Sequence, residues 1–447
     1  MRASIVMAVA MLLLTDTAPA TAQNNYDLLR KWCFNGSFTD EQTILGCSAV
    51  LNQRREAAAN IVKAMQYRGL AYLNKGQINK ALDDFKQAIK INPWLASNFE
   101  LAGNAYYAKG EYDRAIQDYD RALELRPEYA SAMDNRGSAR AGKGELDPAI
   151  RDFEDALKMR SSYAPAFFHR GNVYYEKGEY NRAIQDYDRA IKLNAGVAGT
   201  FNGRGLAFYA LGRYDRAIED FEQAIRLDPT RANFFYNRGI TYAAKRKYER
   251  AIRDFDRAVT INSNYAAAFN NRGNAYLARG DDDRAIQDYD RAIAIRPDYA
   301  LAFRNRARAY ADKDQPARAI LDYDQAIGLS PKDADAYDGR CWNNAIAGKL
   351  QAALADCNES LRLRPGDASA LDSRGFVHLK AGQFDAAITD YNAALTAAPT
   401  MYSSLFGRGV ARYRKGDTIG GSVDIAAAQG RDDNVANKFA KWGVKAF

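Results

Sequence analysis

The chain has 447 residues, a net charge of +8 and only two histidines, His169 and His378. That leaves little for acid–base catalysis or a histidine-ligated metal, and no phosphate-binding glycine loop or nucleophile elbow is present, so neither an enzyme nor a cofactor is expected. The basic excess comes without a groove-reading motif, which argues against nucleic acid as a partner.

Residues 1–22 read as a secretory signal peptide. Arg2 precedes an apolar run over 5–14, too short to cross a bilayer, and Ala20-Thr21-Ala22 forms a small-residue cleavage site that would leave Gln23 as the first mature residue. No cysteine stands at the cut, so a lipid anchor is not expected, and no later stretch is apolar enough to span a membrane. The reading is a soluble protein exported to a bacterial periplasm, where disulfides persist. Residues 23–61 form an N-terminal capping segment, in which a Cys33–Cys47 disulfide docks a helix over 40–52 onto the residues beyond 61.

From residue 62 to 433 a small residue recurs every 34 positions without insertion or deletion: Gly69, Gly103, Gly137, Gly171, Gly205, Gly239, Gly273, Ala307, Cys341, Gly375 and Gly409. An alanine column from Ala81 to Ala387, ending in Gly421, keeps the same beat, as does an aromatic column that begins Phe85, Tyr119, Phe153 and Tyr187. Eleven units in register define an array in which each unit contacts only its neighbours. In the second unit, Ala96, Phe99, Gly103, Tyr106 and Tyr107 make one helical stripe and Ala115, Ile116, Tyr119, Ala122 and Leu123 the next. Gly110 supplies a left-handed residue between them, Asp113 offers a cap, and Pro127 ends the pair. The eleventh unit is degenerate, and residues 434–447 form an amphipathic capping helix carrying Val435, Phe439, Trp442 and Phe447.

At these columns the chain resembles the tetratricopeptide-repeat family. The resemblance covers most of the sequence and implies an all-α, right-handed superhelical solenoid of eleven 34-residue helix-turn-helix repeats, capped at both ends. Two features depart from the commonest family pattern. Phenylalanines such as Phe99 and Phe167 replace the leading Trp, and arginine replaces the Leu before the small residue in every unit but one, where Ala102 stands.

Each unit also carries an aspartate sixteen positions after that arginine, from Asp84 to Asp424. Arg136 lies eight residues before Gly144 and Asp152 eight after, so an antiparallel hairpin sets them at one height. A ladder of Arg–carboxylate pairs is the favoured reading, with a row of anion sites the alternative. Cys341 and Cys357 replace the small and the aromatic residue of one unit, which points to a disulfide across that hairpin, and no histidine accompanies either cysteine pair to suggest a metal.

The resemblance further implies that first helices line a concave groove. The candidate peptide-binding residues there are Asn135, Phe168, His169, Asn172, Asn202, Tyr236, Asn237, Asn270, Asn271, Asn274, Arg304, Asn305 and Arg308. Asparagine can donate to and accept from a peptide backbone at once, and Arg304 with Arg308 would form a fork for a carboxylate. Beyond them the groove turns apolar and acidic, with Asp338, Trp342, Asp372, Phe376 and Phe406. The function expected is a non-catalytic protein-interaction scaffold of the periplasm that holds an extended peptide or protein segment, including one with acidic or carboxylate groups. The alternatives are a scaffold for envelope polysaccharide export or assembly, and direct binding of an acidic glycan or anionic lipid by second-helix arginines such as Arg114, Arg250 and Arg257.

Overall fold

The computed structural model describes residues 19–36, 38–53 and 55–445, which form 25 helices and no strand. The apolar run of the expected signal peptide lies outside the described residues. The first helix, Pro19–Phe34, already passes through the expected cleavage site.

Every repeat is a helical hairpin built on the sequence columns. In repeat 2 the helices are Ala96–Ala108 and Tyr112–Leu125, and Ala115, Tyr119 and Ala122 are buried between them and the next repeat. Gly103 must be glycine here: a Cβ would come within 2.6 Å of the Tyr119 ring. Gly110 turns the chain at φ 79°. Asp113 does not cap the second helix, whose first residue it follows; its carboxylate pairs instead with Lys143 of repeat 3 at 2.7 Å. The same turn position is Arg246 in repeat 6 and Asp314 in repeat 8, both held at positive φ despite their side chains.

The arginine column is a ladder of bidentate pairs. Arg170, for example, donates through Nε and Nη2 to both oxygens of Asp186 at 2.7 Å. The third nitrogen reaches a second acid, on the second helix of the preceding repeat: Arg136 to Asp120 at 2.6 Å, Arg272 to Asp256 at 2.6 Å and Arg340 to Asp324 at 2.7 Å. Each such guanidinium fixes its own hairpin and pins it to its neighbour. The planar fork of arginine allows this, and a lysine would not.

The chain divides into two compact units, Met1–Leu227 and Asp228–Phe447. Within each, successive first helices touch one another while successive second helices do not. The first helices therefore lie on the tighter, concave side.

The N-terminal segment carries the expected helix, Asp40–Gln53, and pairs it with a further helix, Pro19–Phe34. Cys33 and Cys47 join them, with sulfurs 2.13 Å apart and both residues buried. The C-terminal helix is short, Val435–Lys441, and does not cap the outer face of the last hairpin, where Ile419 and Val423 remain 81% and 63% exposed. It folds back across the first helices of repeats 9 to 11. Phe439 packs on Phe406 and Phe376, with centroids 4.7 and 5.7 Å away, and Trp442 packs on Trp342 at 5.0 Å.

Candidate functional site

The concave face is made of side chains from the first helices, and these behave differently from repeat to repeat. In the middle repeats, most of the expected groove residues hold one another. Asn237 and Asn270 are buried, at 9% and 3% exposure, and do not line an open surface. Asn270 accepts from Asn305 at 3.0 Å, and Asn271 donates to the Tyr236 hydroxyl at 2.9 Å. Asn135 donates to Asn104 at 3.0 Å. Asn172 and Asn274 stay exposed, but each accepts a tyrosine hydroxyl, from Tyr187 and Tyr289, at 2.8 Å. Asn202 is half-buried, and Tyr236 packs on Phe255 and Tyr265.

This arrangement has a cause legible in the columns. A tyrosine in the aromatic column brings a hydroxyl into a buried space, where it requires a partner. Tyr119, Tyr187 and Tyr289 find it in Asn104, Asn172 and Asn274, fifteen residues earlier. Where the column carries phenylalanine, the matching position is Leu70, Ser138, Leu206 or Ile240. Several asparagines read as peptide ligands therefore serve the core first.

The arginine fork is also corrected. Arg304 donates to Asp333 at 2.9 Å and to Asp335 at 3.1 Å, so it is committed to the acids at the start of the helix Ala334–Ile346, while Arg308 stays exposed. His169, expected to line the groove, has its Nδ1 2.9 Å from the buried carboxylate of Asp134, and its ring packs on Phe168 and Phe153. His378 is held by Gln383 through Nδ1 at 2.6 Å. No cluster that could hold a metal ion exists among the described residues.

From repeat 9 onward the same face turns apolar, as expected, yet it is not empty. Phe376 and Phe406 are fully buried beneath the C-terminal helix. Lys380 anchors the segment by donating to the carbonyls of Ala345 and Trp442 at 2.8 and 2.9 Å, and Lys441 pairs with Asp314 at 3.0 Å. The aromatic stripe of the C-terminal helix predicts a cap at the end of the array and leaves its true seat unannounced. Its complement, Trp342 and Phe376 on the groove face, was present in the sequence.

The convex face carries mixed charge. Arg114, Arg182 and Arg284 each pair with an acid three residues away on the chain, Glu111, Glu179 and Asp281. Such exposed pairs neutralise the stripe locally and contribute little else.

Models described as "TPR repeat" match residues 103–144, 171–212, 205–245 and 273–314, and models described as "Tetratricopeptide repeat" match 62–95, 232–265, 304–368 and 374–418. Among solved structures, the APC/C hetero-tetramer Cut9-Hcn1 is 13% identical with a TM-score of 0.50, covering 94% of this chain and 96% of that one. YrrB, described as a TPR protein with an unusual peptide-binding site, is 25% identical over 42% of this chain and 96% of its own, with a TM-score of 0.37. The MamA protein is 26% identical over 38% and 93%, with a TM-score of 0.35. No functionally curated protein matches.

Proposed function

Because the chain belongs to the tetratricopeptide-repeat family, we propose that it is a binding scaffold whose concave face holds a segment of a partner protein. One observation carries this reading: the chain's own C-terminal segment sits on that face, with Phe439 and Trp442 in the groove. A surface that buries one amphipathic segment through aromatic anchors offers the chemistry of groove-bound recognition. The active stretch is the join between the exposed polar residues and the apolar seat, around Arg308 and Trp342, rather than the asparagine run as a whole. The two cysteine pairs, both at bonding distance, support an oxidising compartment, and we place the scaffold in the bacterial periplasm.

The test is selection of a random hexapeptide library on the full chain. Selected peptides should lose binding to a Trp342→Ala variant that keeps wild-type thermal unfolding. They should bind Arg250→Ala and Arg257→Ala on the convex face as before. Binding that follows the convex arginines and ignores the groove would overturn the proposal.

A further inference from the structure

Beside the seated C-terminal helix a cavity of about 720 Å³ remains, lined by the first helices of repeats 8 to 11. Trp342 and Trp442 form an apolar wall, their rings edge to face. The polar lining includes two carboxylates that meet no cation. Asp338 accepts from Ser369 through Oδ2 at 2.7 Å and is also held down by the Ser373 hydroxyl, while its Oδ1 is closed off from water with no donor at hydrogen-bond geometry. Asp372, 9% exposed, accepts only hydroxyls, from Ser403 at 3.0 Å and Ser404 at 2.5 Å. Burial raises both carboxyls, Asp372 to about 6.

Three cations close by are engaged elsewhere, and a fourth, Arg308, stays exposed and forms no ion pair with either carboxylate. Lys438 donates to Asp432 at 2.7 Å, Lys441 to Asp314 at 3.0 Å, and Lys380 to two backbone carbonyls. A buried carboxylate oxygen without a donor is costly, and the fold does not relieve it from within. Asp338 lines the cavity, and its terminal torsion is soft. Aromatic faces beside paired carboxylates match a cation carried on an alkyl stem, because the rings favour both the stem and the charge.

Building on the proposed groove, we infer that this cavity receives a lysine or arginine side chain of the bound segment, its stem along Trp342 and Trp442 and its charged head at Asp338 and Asp372. The groove thus selects basic segments, opposite in sign to the carboxylate ligand that Arg304 and Arg308 suggest from sequence.

The peptides selected on the full chain test this directly. They should share a basic residue, and replacing it with norleucine should weaken binding about tenfold, the loss of a charge-assisted hydrogen bond. The same replacement should have no effect on the Asp338→Asn variant, which keeps the Ser369 contact and nearly the same shape, and a reduced effect on Asp372→Asn. Peptides without a basic residue, or an equal norleucine penalty in wild type and Asp338→Asn, would overturn the cation site while leaving the groove intact. Failure to recover any peptide whose binding requires Trp342 would overturn the groove reading, and this inference with it.

Discussion

At residue scale the ladder reveals its own logic where it breaks. Position 102 is alanine, so Asp118 meets no arginine, and Lys86 stands where other repeats put the second acid. Burial pushes the Asp118 carboxyl up to about 6, with Lys86 holding it down only in part. The folded value lies above the unfolded one of about 3.9, so between pH 6 and 4 the folded chain takes up a proton that the unfolded chain does not. This residue therefore costs stability above pH 6, and the cost is relieved as pH falls. Asp118→Asn should stabilise the array by about 1–2 kcal/mol at pH 7, and the gain should vanish toward pH 4. Thermal unfolding of both proteins across that range checks it; parallel pH profiles would contradict it. The Arg–Asp pairing was readable from sequence because both columns share one period. The second acid on each arginine was not, because it requires knowing how one hairpin leans on the last. The asparagines misled for a related reason: their spacing shows which face they occupy but not that a tyrosine hydroxyl claims them.

The hairpin is the element that these contacts stabilise. Arg272→Ala would strand two acids, Asp288 and Asp256, whereas Arg374→Ala strands only Asp390, since its other partner is the neutral Asn358. The first change should destabilise its repeat by about 2–3 kcal/mol and the second by roughly 1 kcal/mol less, for removing one partner leaves a half-buried charge uncompensated. Hydrogen exchange resolved by repeat is the right measurement, because linear arrays open locally. At the turns, Arg246 holds a left-handed conformation that glycine takes in most repeats, so Arg246→Gly should stabilise by about 1 kcal/mol. Repeat 9 replaces its small–aromatic contact by Cys341–Cys357, sixteen residues apart and both buried. Closing a loop of that length contributes about 3 kcal/mol, so reduction should loosen repeat 9 selectively and weaken ligands that use the adjacent Trp342. Exchange rates in repeat 9 that do not respond to reductant would show that packing alone holds the hairpin.

Across the whole molecule, the all-α repeat architecture was legible in the 34-residue beat, since small, aromatic and alanine columns can be met together only by stacked hairpins. The ends were not, because periodicity has nothing to say where the repeat stops. Val435, Phe439 and Trp442 gave the correct apolar stripe but not its destination, which is the face proposed to hold a partner. Photo-cross-linking tests the central claim most directly. A benzoylphenylalanine is placed at position 308 on the concave face or at position 291 on a second helix, and the full chain is irradiated with a selected peptide. Cross-links from position 308 and none from 291 are the predicted result. Cross-links from 291 alone would contradict the account, moving recognition to the convex arginines.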